Sequence, residues 1–291
     1  MTPNSQAPRS PVSPDAIRHH PAFRSAIETR AAAKLSRYQA AAPIERWMTS
    51  DMGRAAMAGA LLLLGATGGL TPGAFLSSRQ VASGEVSLGR ARLYLQRMLA
   101  YGLIVADGPA PLNRDTPLRT TDRFEAVMSV DLHISIEATA MLLPEAGDGL
   151  VRLPADPGFR VRVKDALGRI LVSRPDLYPL DAPVRLFQDR DGGNRMLDAL
   201  ILDQRPDRSR LLEDCKVNRS ALARSTFCSR AHINQLIRDG EASGLLTLMG
   251  RSVHVSAALS DDVERYFAAF FFILGSAVTQ ALDPNETCPK S

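Results

Sequence analysis

Cysteine is nearly missing from this 291-residue chain: Cys215, Cys228 and Cys288 have no paired spacing and no histidine close by to complete a metal site. This argues against a disulfide framework and for a reducing compartment. Cys228 reads as a small buried hydrophobe ahead of a redox sensor, Arg230 being the one charge near it in sequence. Aromatic residues are few, at 5%, which fits a helical protein packed with alanine and leucine. A large charge excess is absent too. The net charge of +4, with an isoelectric point near 9.2, suits a polyanionic partner without identifying one.

Long apolar runs are also lacking. Residues 1–21 hold five prolines and no apolar stretch of signal-peptide type, so residues 1–20 read as a disordered tail. Phe267 to Val278 is apolar on nearly every face, but it is shorter than the roughly 20 residues of a bilayer span and is followed by Gln280 and Asp283. Ala55 to Leu70 is interrupted by Gly65, Gly68 and Gly69. Burial between repeats or between subunits accounts for both stretches, and no membrane partner is expected. Catalytic motifs are missing as well: there is no Gly-x-Ser-x-Gly, no Gly-x-x-x-x-Gly-Lys-Ser/Thr and no His-Glu-x-x-His. The glycines at 65–69 lack the lysine of a phosphate loop and read as a helix terminus. Asp189-Arg190-Asp191-Gly192 lacks the third ligand and the distal glutamate of a calcium loop. The chain reads as a non-enzyme without metal or cofactor.

What is present centres on Ser220 to Val255. The residues predict a short helix over Ser220–Ser225, a turn through Thr226, Phe227 and Cys228, and a second helix opened by Ser229, whose hydroxyl suits an N-cap. Ile233, Leu236, Ile237 and Gly240 recur at helical spacing and form an inward stripe. Ala231, Asn234, Gln235 and Arg238 then fall outward. Gly244 suits a left-handed stop, after which Leu245–Met249 and Ser252–Ser256 read as two strands joined at Gly250-Arg251.

This order of helix, turn, helix and two-stranded wing, in LARSTFCSRAHINQLIRDGEASGLL and the hairpin after it, resembles the winged helix-turn-helix of MarR-like transcription regulators. The resemblance implies a mainly α fold, a second helix that enters the DNA major groove, and pairing through helices at the chain ends. It also implies a small-molecule effector, whose identity no residue here specifies.

The chain carries a second sign of organisation. Residues 43–61 and 183–201 superpose at a shift of 140, aligning Pro43 with Pro183, Trp47 with Phe187, Asp51 with Asp191 and Gly53 with Gly193. At a shift of 142, Ser87 and Gly102 stand opposite Ser229 and Gly244. The first half therefore predicts its own helix-turn-helix, with Ala91, Tyr94, Leu95 and Met98 inward, strands at 103–106 and 118–121, and a proline-rich tip between them. A helix over Asp122–Leu143 follows. The predicted organisation is a first winged-helix repeat over 21–143, a linker over 144–157, a second repeat over 158–283 and a tail over 284–291. Pro21–Ala41 is expected to pack outside the first domain, and the last helix to run from Asp261, capped by Ser260.

The reading that follows is a bacterial-type, cytoplasmic, nucleoid-associated regulator of two tandem winged helix-turn-helix repeats with flanking dimerisation-type helices, binding double-stranded DNA. Its two copies act as an intramolecular pseudo-dimer or within a homodimer. Arg230, Asn234, Gln235 and Arg238 in the second repeat, and Arg90, Arg92 and Gln96 in the first, are the groove-facing candidates. Arg251 and Arg114 are candidates at the wings, and His232 is placed to meet a phosphate. Leu93, outward on the first recognition helix, marks the alternative: a tandem winged-helix scaffold that binds protein without reading DNA.

Overall fold

Alanine- and leucine-rich segments with capped ends make the chain mainly helical, with two small antiparallel sheets. The computed structural model describes residues 13–108, 111–179, 181–204, 209–216, 218–250 and 252–282. Seven helices come first: α1 (Pro14–Arg18), α2 (Phe23–Ala40), α3 (Pro43–Met48), α4 (Met52–Ala66), α5 (Pro72–Leu76), α6 (Arg79–Ala82) and α7 (Leu88–Ala100). The hairpin β1 (Ile104–Ala106) and β2 (Leu118–Thr120) then leads to α8 (Asp122–Ala140). After α9 (Asp148–Ala155), α10 (Pro157–Ser173), α11 (Arg185–Gln188) and α12 (Gly193–Leu202) come β3 (Asp214–Lys216), α13 (Arg219–Thr226) and α14 (Arg230–Ala242). The chain closes with β4 (Leu246–Met249), β5 (Ser252–Val255) and α15 (Ala257–Leu282).

Local chemistry sets many of these starts. The side chains of Asp51, Thr71, Ser87, Thr121, Asn218 and Ser229 each accept a backbone N–H of the turn they open. Such a cap contributes about 1 kcal/mol, whereas each buried aliphatic side chain contributes roughly 1.5–3 kcal/mol, so packing decides where the helices settle.

Two cores result. The first joins α3, α4, α5, α7, the β1–β2 hairpin and the start of α8 around Met48, Met57, Leu61, Phe75, Tyr94 and Phe124. Tyr94 is fully buried, donates its hydroxyl to the Met48 carbonyl at 3.1 Å, and stacks on Trp47. The second core gathers Ile27, Ile136, Phe159, Phe187, Met196, Ile233, Val253 and Phe271, and so draws on both ends of the chain.

That distribution differs from the expected one in several places. α2 presents Ala26, Ile27 and Ala31 to α8 and α12, and so belongs to the second core rather than to the outside of the first. The 144–157 stretch is no bare linker. It carries a 3-10 turn (Pro144–Gly147) and α9, which packs on α8, α10 and α15, and Gly149 approaches Val278 so closely that a Cβ there would lie 2.8 Å from it. Its glycine serves close packing. α8 ends at Ala140, short of Leu143. Part of the expected tail is ordered: Ser13 caps α1, Ile17 is buried, and Arg18 pairs with Asp261 and, at 2.9 Å, with Glu264. α15 starts at Ala257, so Ser260 is not its cap. The Ser260 hydroxyl is buried and accepts the Leu212 N–H at 3.0 Å, and Ser256 accepts from Leu259 instead. β3 was not foreseen. It pairs with β5 to make a three-stranded sheet of order β3-β5-β4.

α15 is long and apolar enough to cross a membrane by length and composition, and 56% of its apolar window is buried inside the protein. The tail over 284–291, Cys288 and residues 1–12 lie outside the described residues.

A charged network lies between α2, α8 and α12. Lys34 and Arg37 both bind Asp131, and Arg30 stands 3.9 Å from Asp198. Burial pushes the Asp198 carboxyl up to about 6, against the pull of Arg30, Lys34 and Arg195. The folded state thus holds this proton more tightly than the unfolded chain, whose carboxyl titrates near its ordinary value of about 4. The resulting stability is full below that ordinary value and is lost as pH rises through about 6. Asp198→Asn should therefore gain on the native protein by about 2 kcal/mol between pH 4 and pH 7. Urea denaturation at several pH values checks this; a difference between the two proteins that does not change with pH would refute it.

Candidate nucleic-acid interface

α13 and α14 are built by two caps and one unusual backbone position. Asn218 accepts the N–H groups of Ser220 and Ala221, and Ser229 accepts that of His232 at 3.1 Å. Between the helices Phe227 adopts a left-handed conformation, φ 54°, and ends α13. This is the one non-glycine residue with positive φ among those described, and it sharpens the turn. The stripe of Ile233, Leu236, Ile237 and Gly240 is buried, as the spacing predicts. Gly240 is needed there because a Cβ would lie 2.8 Å from Leu246.

The opposite face of α14 exposes Arg230, Gln235 and Arg238, with Asn234 half-buried beside them. Gln235 donates to Asp239 at 2.7 Å, and Arg219 donates to the Asn234 carbonyl oxygen at 3.4 Å. Arg219 therefore belongs to this face, as does Arg190, which pairs with Asp239 at 3.2 Å. The sequence reading missed both because they lie outside the helix itself. Gly250, φ 63°, turns β4 into β5. Arg251, the wing candidate there, lies outside the described residues.

In the first half α7 repeats the arrangement with Ser87 as cap and Ala91, Tyr94, Leu95 and Met98 buried. Arg92 and Gln96 are exposed, and Leu93 is 47% exposed beside them. Arg90 is placed differently from the expectation. Its guanidinium turns back to the buried carboxylate of Asp51, which caps α4. Arg97 lies over the Trp47 ring at 4.4 Å. Arg114 is exposed, and its carbonyl accepts the Gly73 N–H at 2.7 Å, so it is tied to the start of α5.

The halves meet through equivalent loops. The Gly192 N–H donates to the Ser50 carbonyl at 3.0 Å, and Arg54 bridges Asp51 at 3.2 Å and Asp191 at 3.3 Å. Arg46 of α3 lies over the Phe227 ring at 4.1 Å. Offsets are matched as well: Arg90 reaches Asp51, and its counterpart His232 reaches the Asp191 carbonyl at 2.6 Å. One ring nitrogen of His232 is thereby engaged at the seam between the halves. Cys228 packs 3.7 Å from Arg195, not Arg230.

No family model, curated protein or solved structure matches the chain. Its chemistry has to be read from its own residues. Among the described residues no group of three or more histidine, cysteine or acidic side chains gathers to hold a metal ion.

Proposed function

We propose that this protein is a sequence-specific DNA-binding transcription regulator with two unequal winged helix-turn-helix units, a duplicated form resembling MarR-like regulators. The observation that carries the reading is α14: a helix seated by its buried stripe behind a tight turn, presenting Arg230, Asn234, Gln235 and Arg238 outward. Asparagine and glutamine amides pair with adenine edges, and arginine pairs with guanine edges or phosphate. Arg219 and Arg190 add positive charge next to that face. Double-stranded DNA is the partner, and the cytoplasmic nucleoid is where it would be met.

The first unit differs. Leu88 and Leu93 are about half exposed on α7, with Tyr101 just beyond its end. This favours a second reading for that unit, contact with protein, and for the whole chain a scaffold that does not read DNA.

Fluorescence anisotropy with mixed-sequence duplex DNA over a salt series separates the two. Affinity for the native chain should fall steeply with salt through counterion release. The triple variant Arg230→Ala, Asn234→Ala, Arg238→Ala should bind at least about a hundredfold more weakly, since each base or phosphate contact contributes roughly 1–3 kcal/mol. A folded native protein that ignores DNA at low salt sinks the DNA reading and leaves the scaffold.

A further inference from the structure

A cavity of about 300 Å³ opens between α1, the loop leading to α11, and α15. Tyr178 and Tyr266 meet edge to face in its wall, 5.4 Å between ring centres, and burial raises both phenols above their ordinary range and keeps them neutral. Six charged side chains line it, Asp15, Arg18, Asp176, Arg185, Asp262 and Arg265, three of each sign. Five of them have an ionic partner: Arg18 with Glu264, Asp176 with Arg174, Arg185 with Asp189, and Asp262 with Arg265; Asp15 is exposed, with the His19 ring 3.6 Å away. Every arginine of the lining is thus already paired and none is left to hold an anionic ligand.

The remaining lining group is Gln188. It is fully buried, and neither its amide nitrogen nor its amide oxygen has a hydrogen-bond partner among the described residues. The Tyr266 phenol is near enough to feel the amide but makes no hydrogen bond of normal geometry with it. A dry carboxamide with both its donor and its acceptor unmet is costly, and a bound molecule relieves that cost. The preceding residue, Phe187, brings its ring to within 3.3 Å of where a Cβ on Gly240 of α14 would lie.

We propose that this cavity binds a neutral, flat ring carrying adjacent N–H and C=O groups, a lactam of the pyridone or pyrimidine kind. Its N–H donates to the Gln188 oxygen and its C=O accepts from the Gln188 nitrogen once Tyr266 turns aside, while the ring lies against Tyr178. Such side-chain rotations are common on binding. Carboxylates fit poorly because each arginine is already paired, and phenols fit poorly because they present a hydroxyl without the adjacent carbonyl. Through Phe187 the ligand sits one residue from the helix that carries the DNA reading. Binding itself does not rest on that reading.

The probe is 2-pyridone, titrated into the full chain by calorimetry without DNA, with benzoate and phenol as comparators. The native protein should bind 2-pyridone at least about tenfold more tightly than either comparator. Gln188→Leu should weaken binding at least about tenfold while its melting temperature holds or rises, because an orphaned amide has gone. Tyr266→Phe, which removes the neighbouring phenol, should tighten binding and gives an independent readout if the leucine variant does not fold. Absence of 2-pyridone binding at millimolar concentration, equal binding by folded Gln188→Leu, or benzoate binding as well as 2-pyridone overturns the proposal.

Discussion

Gly193→Ala should destabilise the protein by about 3 kcal/mol and lower its melting temperature by roughly 6–12 °C. Gly193 is the first residue of α12, where the chain turns tightly out of α11, and its N–H donates to the Arg190 carbonyl at 3.0 Å. A Cβ at this position would overlap the carbonyl of Phe187. That carbonyl is backbone, and Phe187 is fully buried, so neither side of the clash can yield cheaply. The matched control is Gly53→Ala, at the equivalent offset. There a Cβ would meet the end of the Arg90 side chain at 3.3 Å and the Asp51 carboxylate at 3.4 Å, side-chain atoms and no backbone. Alanine also gains about 1 kcal/mol over glycine in a helix, so Gly53→Ala should be neutral or stabilising. Urea denaturation of the pair measures both, and equal effects would show that the α11–α12 junction is looser than described.

Asp131→Ala should cost about 3–5 kcal/mol, because it leaves buried cations without their carboxylate. Burial pushes the Asp131 carboxyl up, but Lys34 and Arg37 outweigh it and hold the group below the usual carboxylate range. Its contribution is present above that usual range and is lost as pH falls through the lowered value. Lys34 behaves in the opposite sense. Burial pulls its ammonium down to about 8, so stability from this group rises with pH from there towards the ordinary lysine value. Lys34→Met should therefore cost little at pH 7 and remove that alkaline rise. Denaturant melts at pH 7 and pH 9.5 check both; Asp131→Ala within 1 kcal/mol of native would mean the network contributes far less than its burial suggests.

How much of this could be read beforehand follows the range of the interactions. The inward stripes of α7 and α14, their serine caps and the hairpins were legible because a 3.6-residue period and a cap are local. The alignment of Asp51 with Asp191 as equivalent positions could be read too, but not that Arg54 bridges the two at the seam. Arg90 was not, because its partner Asp51 stands 39 residues earlier and only packing joins them. β3 is three residues long, too short to show an alternation, and its pairing with β5 is set from across the chain. Gln188 carries no local signal; its burial depends on how α11, α15 and the preceding loop close over it.

α2 also has a consequence for how the protein is made. Its apolar side is covered by α8, which leaves the ribosome about a hundred residues later, and by α12, which follows after about sixty more. At synthesis rates of roughly 5–20 residues per second, Ile27 and Ala31 wait on the order of ten seconds or longer for their last neighbours. During that interval the first core, whose members run from Ile44 to Met128, can close without α2. The nascent chain would thus carry a finished front portion and an uncovered leading helix. That helix is where a holding chaperone would be needed, and slowing translation between residues 130 and 200 should lengthen its exposure.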